Sequence, residues 1–77
     1  MQGVPYRGYL IQPCSYEALT EDRKPRGWVP KANVVRPEGS GIRTTPLTYA
    51  GKDAFPTREE ADRHSIEMAR RWIDKQG

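Results

Sequence analysis

The chain is 77 residues long, with 13 Lys and Arg against 10 Asp and Glu, one cysteine and one histidine. A chain of this size buries only about 60% of the surface its unfolded form exposes, so its stability is marginal without help. Cys14 has no partner for an internal disulfide, and with the lone His64 it cannot build a Cys/His metal cluster, so no cofactor or metal is expected and a partner chain or ligand is the remaining staple.

No basic-then-apolar leader follows Met1, and no apolar run approaches the roughly 20 residues that span a bilayer. With one unpaired thiol, the expected compartment is a bacterial-type cytoplasm, with no membrane partner.

Taken in chain order, residues 1–5 read as a lead-in, and residues 6–12 as a first strand rich in β-formers and closed by Pro13. Both parities of that strand are apolar, Tyr9 and Ile11 on one side and Tyr6 and Leu10 on the other, so its inward face stays open. Residues 14–27 are polar, contain Pro25 and Gly27, and read as a long loop with room for a helical turn near Glu17. A second strand follows at 28–36, with Trp28, Ala32 and Val34 on its apolar parity. Pro30 cannot donate to a ladder and so belongs at a bulge or at the strand's start. Residues 37–41 are a hairpin loop, and 42–49 a third strand whose Pro46 suits a sheet edge.

The strongest local signal is Phe55-Pro56-Thr57-Arg58-Glu59-Glu60-Ala61. Thr57 is placed to cap a helix and Glu60 to close a capping box, with Phe55 as a staple under Ala61. The helix spans about 58–75, with Ala61, Ser65, Met68, Ala69, Trp72 and Ile73 on one stripe, charges opposite, and Gly77 as its stop.

The expected fold is α+β: a single domain over 1–77, a three-stranded antiparallel meander with one C-terminal helix packed on one face. Its core would be Tyr9, Ile11, Trp28, Ala32, Val34, Leu47, Phe55, Ala61, Met68 and Trp72. The open face would carry Leu10, Val29, Lys31, Asn33, Val35 and Thr44, with Tyr6 near its end.

Catalysis is not expected. Asp62, His64 and Ser65 point in different directions on a helix and form no triad, and His64 reads as a solvated side chain beside Glu60. Gly39-Ser40-Gly41 precedes a strand, so it cradles no phosphate.

The helical charges balance, which leaves the basic excess in the earlier part of the chain. The expectation is therefore a small binding module for nucleic acid, using the open sheet face and the basic loop. Its candidate contacts are Arg7, Lys24, Arg26, Lys31, Asn33, Arg36 and Arg43, drawn from a set that also includes Arg23. Tyr6, Leu10, Val29 and Val35 are the candidate open-face contacts.

Tyr6-Arg7-Gly8 together with the Phe55–Ala61 string resembles plant ethylene-response-factor DNA-binding domains, whose three-strands-then-helix architecture phage-integrase arm-binding domains share. The resemblance implies a sheet docked in the major groove through arginines and a tryptophan. Arg7 matches by motif and Trp28 by its place opening the second strand. Tyr9, Leu10 and Ile11 stand where that family has basic readers, and the 14–27 loop is longer. The chain also resembles small bacterial strand–strand–strand–helix proteins, a kinship that implies no activity.

The alternative is a protein-interaction or homodimerisation module that uses the same open face. A small unstapled core and a partly apolar open face are what a partner-bound sheet would show.

Overall fold

A computed structural model describes residues 3–51 and 53–76. Lys52 and the Gly77 stop lie outside the described residues, as do the first two residues of the lead-in. The element order is β1 (Val4–Tyr6), β2 (Tyr9–Pro13), β3 (Tyr16–Leu19), β4 (Pro25–Val29), β5 (Lys31–Glu38), β6 (Gly41–Thr48) and α1 (Arg58–Lys75). The chain is α+β with a C-terminal helix, but a four-stranded antiparallel sheet, β1-β2-β5-β6, and a two-stranded β3-β4 ribbon replace the expected three-stranded sheet.

The first correction comes from Arg7 and Gly8. Both have positive φ, +50° and +85°, the conformation of a two-residue turn whose twist matches a hairpin. The turn folds Val4–Tyr6 back onto β2, pairing Val4 with Ile11 and Tyr6 with Tyr9. The lead-in is therefore partly an edge strand, and the first expected strand is split between two.

The second correction is the loop at 14–27. It contains β3 and most of β4, which pair Tyr16 with Val29 and Glu17 with Trp28. Its turn is closed by Thr20 N–H donating to Lys24 O at 2.9 Å and Arg23 N–H to Thr20 O at 2.9 Å. Arg23 takes a φ of +61° there. Two long arms, β2 running on into β3 and β4 into β5, thus make one bent ribbon, and Pro30 is the bend. Pro30 is fully buried and lies between strands, where a missing donor costs no ladder bond. Cys14 N–H donates to Lys31 O at 2.8 Å and carries the pairing past the break. The ribbon helps draw the molecule out to 46 × 21 × 20 Å.

β4 also holds the entry to the helix. Trp28 and Phe55 exchange two backbone hydrogen bonds of 2.8 Å each. Gly27 makes this approach feasible, since a Cβ there would lie 2.8 Å from both Ala54 Cβ and Phe55 O. Thr57 then caps α1 from an extended conformation, its Oγ1 accepting from Glu60 N–H at 3.1 Å. Glu59 and Glu60 occupy the first turn, where the helix dipole favours negative charge. At the other end Gln76 caps the helix, its N–H donating to Ile73 O at 2.9 Å. Phe55 meets Tyr49 and His64, with ring centroids 5.7 and 5.1 Å away.

Register settles the parity the sequence left open. Ile11 pairs with Val34 and Pro13 with Ala32, and these residues form the helix-facing layer under Ala69 and Ile73. Among the described residues, and apart from Pro13 and Pro30, the buried apolar side chains are Ile11, Ala32, Val34, Ala61, Ala69 and Ile73. Of the expected core, Tyr9, Trp28, Leu47, Phe55, Met68 and Trp72 are only half-buried. Three of the six buried apolar residues are alanines, so sheet and helix pack closely over a small core. Each larger side chain buried there is worth only about 1.5–3 kcal/mol. β6 lies at the sheet edge, where Pro46 is tolerated.

Candidate interaction surfaces

The face turned away from α1 is defined by the same registers. Leu10, Val35 and Thr44 form one cross-strand row, flanked by Pro5 against Leu10 and Ile42 against Pro37. Gln12, Asn33 and Pro46 form the next polar row, and Lys31 pairs with Thr48 beyond it. The apolar end is a shallow groove of about 600 Å³ lined by Pro5, Leu10, Val35, Pro37 and Ile42 together with the β1–β2 turn. Ile42 is 74% exposed. Ile42 extends the apolar patch of Pro5, Leu10, Val35 and Pro37 to the sheet edge.

Of the expected open-face residues, Leu10, Val35, Lys31 and Asn33 lie there. Tyr6 does not: its side chain crosses to α1, where its hydroxyl donates to Asp74 Oδ1 at 2.9 Å and Arg70 lies 5.6 Å from the ring centroid. Val29 is in the ribbon, opposite Tyr16.

The basic candidates divide three ways. Lys24 and Arg26 belong to the ribbon, which with Arg23 carries three bases against Glu17, Glu21 and Asp22 and so no net charge. Lys31 and Asn33 occupy the polar half of the open face. Arg36 and Arg43 pair across β5 and β6 on the helix-side parity, beyond the end of α1, and Arg7 reaches the same end from the β1–β2 turn. Arg7 Nη1 donates to Asp74 at 2.9 Å, and Arg43 lies 3.5 Å from Glu38. Arg36 Nη1 donates to Tyr9 Oη at 3.1 Å, with its guanidinium carbon 5.4 Å from that ring's centroid. The four-stranded sheet and its turns hold Arg7, Lys31, Arg36 and Arg43 against Glu38 alone, so the excess charge of the chain resides there.

Tyr9, Trp72 and Gln76 line hollows beside these arginines, a placement that no pattern in the sequence marks. Ile42 was legible, because period-2 alternation from Thr44 puts it on the outer face. His64, expected to be solvated, is half-buried, edge-on to Tyr49 with centroids 5.1 Å apart at 87°. Asp62 is the least expected residue: it is 5% exposed, and its Oδ1 accepts from Ser15 N–H at 3.2 Å while Arg58 lies 3.8 Å from Oδ2. It anchors the bend of the ribbon to the helix. No group of three or more His, Cys, Asp or Glu that could hold a metal occurs among the described residues, and no helix there is long and apolar enough to cross a membrane.

Comparison with protein-family models, curated proteins and solved structures finds no match. The likeness to ethylene-response-factor domains thus rests on its two short sequence patches, and the fold departs from it. Arg7 sits in a tight turn paired with Asp74, and Trp28 lies in the separate ribbon.

Proposed function

We propose that the chain is a non-enzymatic interaction module that self-associates through the open face of its four-stranded sheet. The supporting observation is the apolar end of that face, Pro5, Leu10, Val35, Pro37 and Ile42, left uncovered by a helix committed to the other side. A second copy is the occupant favoured by charge. Lys31 is the one charged residue among the sheet rows of this face, about four residues along β5 from Val35 and so roughly 13 Å away. A two-fold axis lying in the interface across the strands sets apolar end against apolar end and puts the two lysines on opposite sides of the axis. Such pairing also supplies the burial that a small, alanine-rich core lacks. Sedimentation equilibrium tests the reading: the wild type shows a dimer mass at high concentration, and Ile42→Asp shifts it to the monomer. A monomer at every concentration removes it.

Nucleic-acid binding is the second reading, supported by the charge excess on the four-stranded sheet. Its surface moves from the open face to the end where Arg7, Arg36 and Arg43 gather. Real phosphate contacts weaken steeply with salt. Titration with short duplex and single-stranded DNA at two salt concentrations checks it, and absence of binding at low salt eliminates it.

A further inference from the structure

We propose that the notch between the C-terminal end of α1 and the turns of β1–β2 and β5–β6 binds a nucleotide unit, a phosphate carried on a planar ring. The inference deepens the nucleic-acid reading, whose arginines it uses, and not the self-association reading; the notch opens on the helix side of the sheet and shares only Arg7, Gly8 and Tyr9 with the rim of the open-face groove. Two hollows of about 380 and 200 Å³ meet here, sharing Tyr9, Arg36 and Gln76 in their walls. The first is completed by Arg7 and the second by Arg43 and Trp72. The first alone is within the size range of small-molecule sites, about 300–1,000 Å³.

Three guanidinium groups reach the notch from three different segments; Arg7 and Arg36 are oriented by hydrogen bonds, and Arg43 lies in an exposed ion pair at 3.5 Å. The partner of Arg7 is Asp74, that of Arg36 is the Tyr9 hydroxyl, and Glu38 is the carboxylate near Arg43. Each of these contacts leaves donors of the planar fork unused, and that fork matches the oxygens of a phosphate. The aromatic component is Tyr9 set edge-on to Trp72, centroids 6.1 Å apart at 86°, both half-exposed beside the arginines. Base stacking on aromatics and phosphate pairing with arginine are complementary demands of one ligand class. Glu38 and Asp74 oppose the anion, as does the negative end of the helix dipole. A phosphate therefore competes with Glu38 for Arg43, and the site is tuned by its own carboxylates.

The test is titration of the full chain with adenosine monophosphate, inorganic phosphate and a short single-stranded oligonucleotide at low salt, followed by amide and indole NMR shifts. The expected result is saturable binding of the monophosphate with shifts at Tyr9, Arg36 and the Trp72 indole, and weaker binding of inorganic phosphate. Arg36→Met weakens binding about tenfold or more, from the loss of a charge-assisted fork. Glu38→Gln tightens binding, which a nonspecific loss of fold cannot do. An oligonucleotide that shifts the same residues marks the strand as a second source of the same unit. The proposal is overturned if the monophosphate fails to saturate at low salt, if its shifts map to Lys31 or the ribbon, or if Arg36→Met and Glu38→Gln both leave its affinity unchanged. Binding of the oligonucleotide alone overturns it too, in favour of an extended backbone contact.

Discussion

Tyr6 donates its hydroxyl hydrogen to Asp74 Oδ1 at 2.9 Å across 68 positions of sequence, and the same oxygen accepts from Arg7 Nη1 at 2.9 Å. The first strand and the last turn of the helix are thereby tied through one carboxylate. The Tyr6 hydrogen bond, followed by that of Arg7, holds the Asp74 carboxyl below its ordinary value of 3.8. The carboxylate in turn pushes the Tyr6 phenol above its ordinary 10.0.

The sign of the pH dependence follows from these two shifts. Asp74 binds its proton less readily in the folded state, so its contribution is present above 3.8 and fades as pH falls through the lowered folded value. Tyr6 loses its proton less readily when folded, so its contribution is complete below 10.0 and fades as pH rises through the raised value. Denaturant midpoints measured across pH should show Asp74→Asn flattening both limbs, and Tyr6→Phe removing the alkaline contribution and flattening the acid limb in part, since Arg7 still holds the Asp74 carboxylate. Limbs that run parallel in wild type and Asp74→Asn would contradict the tie.

Asp62 makes a second prediction. Replacing it with Ala leaves Ser15 N–H in a buried site without its acceptor, at a cost of about 1–3 kcal/mol. Asp62→Asn keeps an oxygen in reach and should cost less. Urea unfolding of the two variants checks the order, and the β3–β4 amides should exchange faster in Asp62→Ala. Equal stability of the two would show that the Ser15 contact is not what the residue provides.

Glycine positions separate strain from crowding. Gly39 has a φ of +59° with nothing near its missing Cβ, so Gly39→Ala should cost only about 1–2 kcal/mol for the left-handed conformation. Gly27 has a φ of +130° and would drive a Cβ into Ala54 and the Phe55 carbonyl. Gly27→Ala adds backbone displacement of about 1–3 kcal/mol and should loosen the Trp28–Phe55 pairing. Thermal melts that rank the two the other way would overturn this assignment.

The helix was readable because its signals agree: Thr57 as cap, acids in the first turn, and a 3.6-residue stripe that ends on Ile73. The edge position of Pro46 and the hairpin after Pro37 were equally plain. The Arg7-Gly8 turn was hidden because arginine is not a residue that favours positive φ, so a hairpin read as one strand. The β3–β4 ribbon was hidden because Tyr16–Leu19 and Pro25–Val29 are short and mostly exposed, and a ribbon held to the rest of the fold near Ser15 and Trp28 needs no strict apolar alternation. The helix-side parity of Arg36 and Arg43 was readable from Ala32, Val34 and Leu47; the notch was hidden because it also needs Arg7 and Tyr9 at the end of α1, which the β1–β2 turn and the pairing of Ile11 with Val34 decide.

The most direct measurement of self-association is a concentration series of amide NMR spectra. The account predicts that Leu10, Val35 and Thr44 shift as concentration rises while Ala69 and Ile73 stay fixed, and that Ile42→Asp abolishes the shifts. Spectra that do not change with concentration, or shifts confined to the helix side of the sheet, would contradict it.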